Sequence, residues 1–319
     1  MKDLVLDRAV CLRRNFSDLP FDADANEETA RKVQQRVSNA LESAGEKYAY
    51  LPVGSIPQDK RELMQQKRLL SPDAQDALYG TAYLRLDERL CVEAAGEDHF
   101  RVSAYTEEED VLSCLQEARR VARQISETGA VAHSDTFGFL TAKPCDAGLG
   151  LTVSHLLHLP MTAMIKQISA AMKLAASAGL ILRGAGMNGF FLLENRVSSG
   201  AAEETLLEKV EETSRKLCAL EMGLRSRAKE HADAAILDRV WRAYGICRYT
   251  RRMGQKELMQ LWSQLTLGRS VCEMPYTEDT LDELRRIALL PEGKLTGERA
   301  APADVERAAR VRALFDGGK

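Results

Sequence analysis

Two short charged motifs in this sequence carry side chains that could act on a phosphate group. The first is Glu97-Asp-His-Phe-Arg101, and the second is the pair Arg183-Gly184. Arginine makes bidentate, charge-assisted contacts with phosphate oxygens, and a carboxylate can orient a nucleophile and remove its proton. Taken alone, the first motif is more often a charged turn between strands, and Arg183 could equally be a surface residue at the end of a strand.

A longer segment, residues 138–160, is more specific than either motif. It contains a strand-like run, a loop of proline and glycine, and an apolar run that ends in His158-Leu-Pro160. This order resembles the signature of the ATP:guanido phosphotransferases, roughly G-[YF]-L-T-x-C-P-[TS]-N-x-G-T-G-x-R-x-S-x-x-x-[HK]-L-P. The motif at 97–101 resembles N-E-E-D-H-[LI]-R of the same family, with Leu69-Leu-Ser-Pro-Asp73 upstream, and the similarity runs from about Leu4 to Arg312.

The resemblance implies a role for each charged residue. Glu97 corresponds to the catalytic glutamate, and Arg101 and Arg183 correspond to arginines that contact the phosphates of ATP with Mg²⁺. Such a transfer depends mostly on positioning and on charge stabilisation. Because a guanidinium has a pKa above about 12, carboxylates must hold the acceptor, orient its nitrogen and help to remove a proton.

Three positions at which the family has phosphate-binding arginines hold other residues here. When the N-terminal strand is aligned with the family pattern S-S-R-I-R-L-A-R-N-F, two of these positions become Ala9 and Cys11, and the signature loop places Thr152 at the third. Arg8 and Arg13 lie beside them, but neighbours along a strand point to opposite faces. We therefore expect Arg8 and Arg13 to be poor substitutes unless a bulge shifts the register. Each lost charge-assisted contact is worth roughly 1.5–3 kcal/mol.

The acceptor side of the predicted site also departs from the family. Lys143 stands where the family has a cysteine beside the guanidine, and a cation there would repel an arginine substrate. Cys145 lies two residues further on and is interpreted as a buried or incidental thiol. The loop after Arg183 is shortened and lacks the second catalytic glutamate. Asn188 falls near its place, but an amide cannot act as a base.

The C-terminal region resembles the bacterial protein arginine kinases rather than the animal phosphagen kinases. Residues 237–246 resemble E-D-R-V-[YW]-R-[SA]-x-G-[IL], and residues 304–312 resemble R-D-x-x-R-A-A-x-x-R, which forms a phosphoarginine-binding site in that family. The resemblance assigns this binding to Asp304, Arg307 and Arg310, because arginines one helical turn apart can clamp a phosphate. Without the resemblance, a solvated basic helix end would be the favoured interpretation.

The same resemblance implies cofactor, partners and assembly. The expected cofactor is ATP with Mg²⁺. The partners are protein substrates or phosphoarginine proteins, a zinc-containing activator, and a protein-degrading ATPase that reads phosphoarginine marks. A homodimer is expected.

The strands and helices that the sequence predicts around these residues indicate an α+β fold. We expect a guanidino-kinase-like catalytic domain over residues 1–200, with an antiparallel sheet flanked by helices, and a helical C-terminal domain over 201–319. Extended segments are predicted at 4–15, 81–86, 90–94, 100–105, 136–140, 180–183 and 190–197. Helices are predicted at 27–44, after Pro72, and at 107–125, 156–178, 203–231, 234–245, 255–267, 277–290 and 301–315. No βαβ repeat with a glycine-rich phosphate loop is visible, which argues against Rossmann and P-loop enzymes.

Bulk composition narrows the functional class. A chain of 319 residues with 45% hydrophobic residues can bury a large core, and a net charge of -3 with 6% aromatic residues argues against nucleic-acid binding. No apolar run has the length of a membrane span, and charged residues interrupt the N-terminal segment 1–7 where the core of a secretory signal would lie. The seven scattered cysteines favour reduced thiols in the cytoplasm over a disulfide framework or a zinc site.

Two hypotheses about function follow. In the first, the protein transfers a phosphoryl group from Mg-ATP to protein arginine, with Glu97 as the base and Arg101 and Arg183 on the phosphates. In the second, it is a pseudokinase that binds phosphoarginine proteins through Arg307 and Arg310 or regulates an active kinase. The lost arginines, the missing glutamate and Lys143 favour weak or absent activity.

Overall fold

Strand β1 (Val5–Arg14) lies inside an eight-stranded antiparallel sheet and pairs with β5 on one side and β8 on the other. The strand order is β2-β3-β4-β5-β1-β8-β10-β9. The computed structural model describes residues 3–21, 23, 26–108, 110–200, 202–231, 233–290, 295 and 302–316. Two further strands, β6 and β7, form a small separate hairpin.

The other strands are short, and most follow the predicted positions. Their bounds are β2 Tyr48–Pro52, β3 Thr81–Arg85, β4 Leu90–Ala94, β5 Phe100–Thr106, β6 His133–Ser134, β7 Gly138–Phe139, β8 Leu151–His158, β9 Leu180–Gly184 and β10 Phe190–Asn195. The predicted hairpin turn at Asp87-Glu88 is confirmed between β3 and β4, with Glu88 in a left-handed conformation. Strand β2 was not predicted.

Ten α-helices lie in the described part of the chain. They are α1 Glu27–Ser43, α2 Gln58–Gln66, α3 Val111–Ser126, α4 Pro160–Met164, α5 Ile168–Ser177, α6 Glu203–His231, α7 Ala234–Tyr249, α8 Gln255–Val271, α9 Glu278–Ala288 and α10 Ala303–Asp316. The side chain of Asn26 accepts the Thr29 backbone N–H at 3.0 Å and caps α1, as its position before the periodic segment predicts. Helix α2 was not predicted, and the turn at Pro72 leads only into a 3₁₀ turn at Ala74–Asp76.

The prediction of helix for residues 156–178 is wrong at its start. Strand β8 runs through this segment to His158, and the helices begin only at Pro160. Alternation explains the difference: Thr152 and Ser154 face a cavity, whereas Val153 and Leu157 are fully buried in the core. An apolar run flanked by turns can be either a buried strand or a helix by its pattern alone.

The sheet has helices on one face and a cavity on the other. Helices α1, α3, α5 and α6 pack on the first face, where Val10 and Leu12 of β1 enter the main core. On the second face, Leu6 and Phe190 join a separate core formed with α8, α9 and α10. The cavity occupies the part of this second face that these C-terminal helices do not cover. The predicted α+β class, an antiparallel sheet with a helical C-terminal region, is confirmed.

Helix α6 carries a buried ion pair that joins it to the start of α4 and to the segment before β1. The carboxylate of Glu221 accepts the backbone N–H groups of Met161 and Thr162, each at 2.9 Å, and so caps the start of α4. Arg225 donates to Glu221 at 3.0 Å and to Asp3 at 2.9 Å. The first half of α6 also packs in the main core, so the expected division near residue 200 stays a prediction.

His158 forms a second buried junction between the sheet and α8. Its Nδ1 lies 3.1 Å from the Asp3 carbonyl oxygen and its Nε2 lies 2.7 Å from Ser263 Oγ, so Nδ1–H donates and Nε2 accepts. Its ring also contacts Phe190 and Trp262. Burial and the nearby Arg225 guanidinium lower the pKa of His158 to about 3. The imidazole is therefore neutral in the native protein.

Across the described ranges, none of the helices has both the length and the apolar character that a membrane crossing requires.

Replacing Glu221 with alanine should lower the free energy of unfolding by about 3–5 kcal/mol, because it removes the fully buried carboxylate that pairs with Arg225 and leaves only the partly exposed Asp3 to balance that charge. Urea unfolding measures this loss. Glu208→Ala, at an exposed position on the same helix, should change the value by less than about 0.5 kcal/mol. Equal effects of the two substitutions would show that the ion pair does not stabilise the junction.

The free energy of unfolding should fall as the pH is lowered from about 6.5 towards 4. In this window the unfolded chain protonates His158, whereas the native protein keeps this imidazole neutral because the pKa of His158 is lowered there. The slope from this residue is up to about 1.4 kcal/mol per pH unit. Urea titrations at several pH values should give a shallower decline for His158→Gln, and parallel profiles would contradict this assignment.

Candidate active site

A cavity of about 740 Å³ opens on the second face of the sheet, beside the C-terminal helices that cover the rest of that face. Its walls come from β1, β8, β9 and β10, from Arg101 of β5, and from the turn between β4 and β5. Helix α9 contributes Arg285. A volume of this size suits a small-molecule ligand.

The five positions expected to face nucleotide phosphates all line this cavity. They are Ala9, Cys11, Arg101, Thr152 and Arg183. The strand register explains the grouping: Cys11 lies opposite Thr152 on one side of β1 and opposite Ser103 on β5. Two of the five positions carry arginine, as the sequence indicates.

Arg13 adds a guanidinium at this point, which corrects the expectation from sequence. Its Nη1 donates to Thr152 Oγ1 at 2.8 Å, and its Nε lies 3.5 Å from Asp146. Because side chains on a strand alternate, Ala9, Cys11 and Arg13 share the cavity face without any bulge between them. Arg13 therefore brings a cation to the position that Thr152 leaves uncharged.

Arg8 points to the opposite face, as expected. Its Nη1 donates to the Glu108 carbonyl at 3.1 Å, and its Nε lies 3.8 Å from Glu211 of α6. It is buried beneath the helices and does not line the cavity.

Arg101 is held from three sides. It forms an ion pair with Glu93 on the neighbouring strand, and its Nε donates to Cys11 Sγ at 2.8 Å. Its Nη2 donates to the carbonyl of Arg68 at 3.1 Å. Glu93 in turn accepts the backbone N–H of Ser71 at 2.8 Å and its hydroxyl at 2.7 Å. The motif 69–73 thus fixes the carboxylate that orients Arg101.

Other cations of the cavity also have acidic partners. Arg183 Nε donates to Glu194 at 2.8 Å and is half-exposed. Arg68 pairs with Asp7, and Arg285 lies 3.8 Å from the same carboxylate. The sequence motifs gave no sign of Arg68 and Arg285, because the tertiary packing of α9 and of the turn after α2 brings them to the site.

Two buried residues beside Glu97 fix the turn that carries it. The Asp98 carboxylate accepts Asn15 Nδ2 at 2.6 Å and the Ala142 backbone N–H at 2.8 Å. Burial raises the pKa of Asp98, although these donors oppose the shift. His99 Nδ1 accepts the Phe16 N–H at 2.8 Å, so Nε2–H donates to the Pro20 carbonyl at 2.6 Å.

His99 has a lowered pKa because it is buried, and its neutral form is the one that this bonding requires. Asp98 and His99 are therefore positioning residues, whereas Glu97 itself points into the cavity.

Glu97 meets Lys143 across the cavity mouth. Lys143 Nζ lies 2.9 Å from Glu97 Oε2 and 3.6 Å from Asp73 Oδ2. Both Glu97 and Lys143 are more than two-fifths exposed, at 43% and 47%. The hydrogen bond that Lys143 donates to Glu97 raises the pKa of Lys143. The structure thus pairs the candidate base with the lysine that replaces the expected cysteine.

Curated proteins of similar sequence are protein-arginine kinases. One from Bacillus cereus (strain B4264) is 27% identical over 83% of this chain and 78% of its own length. Another, from Caldanaerobacter subterraneus subsp. tengcongensis, is 27% identical over 97% of this chain and 96% of its own length.

A family model described as the ATP:guanido phosphotransferase C-terminal catalytic domain matches residues 30–224, which is more than half of the chain. The chain belongs to the ATP:guanido phosphotransferase family. The resemblance noted in the signature segment and in the motif at 97–101 is thereby confirmed.

Solved structures of guanidino kinases share the fold. The duplicated taurocyamine kinase from Schistosoma mansoni with bound transition-state-analogue components matches with a TM-score of 0.62 and 21% identity, over 71% of this chain and 34% of that one. The chain therefore spans about a third of that duplicated protein. Lombricine kinase matches with a TM-score of 0.60 and 16% identity, over 71% of this chain and 68% of that one.

Two residues near the family's acceptor motifs lie outside the cavity. Asn188, near the place of the missing glutamate, is exposed and does not line it. Cys145 is exposed rather than buried and likewise lies outside the lining. Neither residue contributes a group to the site.

The residues assigned to phosphoarginine binding lie on or beside α10. Asp304 pairs with Arg252 at 2.7 Å, and Arg310 donates to Glu306 at 3.1 Å. Arg307 is 1% exposed, and its Nη1 donates to the Met253 carbonyl at 2.9 Å. Arg307 thus joins α10 to the segment before α8 in this structure, and the assignment of the three residues stays a prediction.

The guanidinium groups fit the phosphates of a nucleotide better than the carboxylates fit a metal. Arg13, Arg101 and Arg183 could contact phosphate oxygens, since all three line one cavity. Within the described ranges, no group of three or more acidic, cysteine or histidine side chains is arranged to hold a metal ion. Mg²⁺ would therefore be held largely by the phosphates, as is usual for this ion.

The lining as a whole is nearly neutral. Nine basic and eight acidic side chains form the described walls of the cavity, so the cations that would meet a triphosphate already face carboxylates. A nucleotide must compete with these internal partners for each arginine.

Replacing Glu93 with glutamine should both destabilise the protein and strengthen anion binding. The amide keeps the shape but leaves the buried Arg101 charge without its partner, at a cost of about 3–5 kcal/mol. Pyrophosphate should then raise the melting temperature of the variant more than that of the unmodified protein.

A matched control is Glu117→Gln, which removes the carboxylate of another arginine pair, with Arg85, outside the cavity. It should not alter the response to pyrophosphate. An equal response in Glu93→Gln and the unmodified protein would show that Glu93 does not limit anion binding at Arg101.

Proposed function

We propose that this protein is a protein-arginine-kinase-like phosphotransferase whose transfer of a phosphoryl group from Mg-ATP to protein arginine is weak or lost. The observation that carries the proposal is the ion pair between Glu97 and Lys143. The family has two catalytic glutamates, and Glu97 is the one that this chain retains. In the structure the Lys143 ammonium is bound to its carboxylate.

The chemistry explains why this pairing matters. An acceptor guanidinium must be held by carboxylates and must lose a proton before its nitrogen can attack a phosphorus atom. Glu97 would serve both purposes, but its Oε2 already accepts from the Lys143 ammonium at 2.9 Å. The lost second glutamate would have shared this task. Orientation and proton removal are thus both weakened.

The phosphate side supports the same proposal. Ala9 and Cys11 supply no charge where the family has arginines, and each charge-assisted contact is worth roughly 1.5–3 kcal/mol. Arg13 restores one guanidinium beside Thr152, yet it lies 3.5 Å from Asp146. Arg101 is paired with Glu93 in the same way. Such losses do not add strictly, but all of them act in one direction.

Any residual transfer would use the residues that the cavity brings together. The nucleotide would supply the phosphoryl group. Arg13, Arg101 and Arg183 would bind its phosphates and stabilise the charge that develops during transfer. Glu97 would orient the acceptor nitrogen and take its proton once Lys143 has moved away. The expected acceptor is a protein arginine, because the similar curated proteins are protein-arginine kinases.

The second candidate is an active enzyme, and Arg13 is the observation that favours it. Its guanidinium contacts Thr152 directly, so three cations rather than two line the cavity where the family resemblance places the phosphates. The pseudokinase role remains part of the proposal, as a protein that binds phosphoarginine proteins or regulates an active kinase. The zinc-containing activator, the protein-degrading ATPase and the homodimer stay predictions that follow from the family resemblance.

Incubated with Mg-ATP and an arginine-rich protein, the protein should form phosphoarginine at least about 10³-fold more slowly than a protein-arginine kinase assayed alongside, since general acid–base catalysis contributes about 10²–10⁴-fold. Acid-labile phosphoarginine, detected by ³¹P NMR, is the readout. Transfer at a comparable rate would overturn the proposal.

Two further measurements show which step of phosphoryl transfer is weakened. Calorimetric titration with Mg-ATP and Mg-ADP separates lost nucleotide binding from lost chemistry. Glu97→Gln should abolish whatever transfer remains, and unchanged transfer in this variant would show that Glu97 is not the base.

A further inference from the structure

We infer that Lys143 is an internal occupant of the acceptor subsite, whose ammonium takes the place on Glu97 that a guanidinium would take and so closes the cavity to arginine side chains. The inference deepens the proposed function, and it rests on it in taking Glu97 as the carboxylate that receives the acceptor.

The position of Lys143 is built by the surrounding chain. Asp98 accepts the Ala142 N–H at 2.8 Å and thereby ties the loop of Lys143 to the turn of Glu97. The Lys143 carbonyl accepts the Thr141 hydroxyl at 2.7 Å and the Asp146 N–H at 3.0 Å. One buried carboxylate therefore fixes both the base and the lysine, and it holds them opposite each other.

The surroundings of the ammonium match those that a guanidinium acceptor needs. Lys143 Nζ lies between two carboxylates, 2.9 Å from Glu97 and 3.6 Å from Asp73. A guanidinium binds to carboxylates through the same charge-assisted hydrogen bonds. An arriving arginine would meet a like charge and would find its acceptor oxygen engaged.

Lys143 acts here as a cation and not as a nucleophile. Its contact with Glu97 raises its pKa, so the amine keeps its proton at neutral pH and has no free electron pair for attack on phosphorus. The side chain is 47% exposed, so it can leave the subsite without unfolding any element. The subsite thus exists in a closed and an open state, and a guanidinium ligand binds only the open one.

The test compares the unmodified protein with Lys143→Met, which keeps the length of the side chain and removes its charge. The probe is Nα-acetyl-L-arginine amide, which has a guanidinium as its only charge, titrated without nucleotide and followed by NMR. If the open state is about one-tenth populated, the affinity of Lys143→Met should rise about ten-fold or more. Lys143→Gln should behave in the same way.

Two controls make the result specific. Lys173→Met removes an exposed lysine of α5 outside the cavity and should leave the affinity at that of the unmodified protein. Nα-acetyl-L-citrulline amide, of similar shape but uncharged, should gain nothing from the loss of Lys143. Equal affinity of the unmodified protein and Lys143→Met for the arginine probe, including binding too weak to detect in both, would overturn the inference.

This outcome is separate from that of the proposed function. Efficient phosphoryl transfer by the unmodified protein would overturn the proposed function, whatever the affinity of the probe. The titration needs neither ATP nor turnover, so unchanged affinity in Lys143→Met counts against the internal occupant alone.

Discussion

The alternation of side chains along β1 is the constraint on which the rest of the structure depends. Because β1 pairs with both β5 and β8, each of its residues is fixed to one face of the sheet. Val10 and Leu12 enter the helix-covered core, while Ala9, Cys11 and Arg13 face the cavity. A slip by one residue would exchange these two sets and bury charge in the core. The same pairing thus forms the core and the wall of the site.

Charged side chains of this cavity are paired with one another. Arg101 faces Glu93, Arg183 faces Glu194, and Glu97 faces Lys143. In a partly buried site such pairs compensate the cost of removing charge from water, and they also compete with any charged ligand. The family fold is therefore retained, while the side chains that would meet donor and acceptor are satisfied by the chain itself.

Buried polar residues connect the parts of the molecule. Asp98 ties β1, the turn of Glu97 and the loop of Lys143 together through Asn15 and Ala142. On the other side, Glu221 joins α6 to the start of α4, and His158 joins the sheet to α8. Arg285 then reaches from α9 to the backbone of Leu6 at 3.2 Å. The C-terminal helices consequently contribute directly to the wall of the cavity.

The sequence by itself determined the family, the fold class and some of the positions that line the cavity, because the motifs at residues 97–101 and 138–160 have the order and spacing of the family pattern. Local patterns also gave α1, with its Asn26 cap, and the β3–β4 turn. The hydrophobic pattern could not show whether β8 is a strand or a helix. A short apolar run can form either one, and only its neighbours in the fold decide between them.

Only the tertiary structure decided which charges meet. Arg13 lies opposite Arg101 in the register of β1 with β5, and the partners of Glu97 and Lys143 come from segments far apart in the chain. Arg307, a plausible surface clamp by sequence, proved to be buried against Met253. Electrostatic contacts depend on distances of a few ångströms between such segments. Spacing along the sequence does not specify those distances, whereas the packed sheet and helices do.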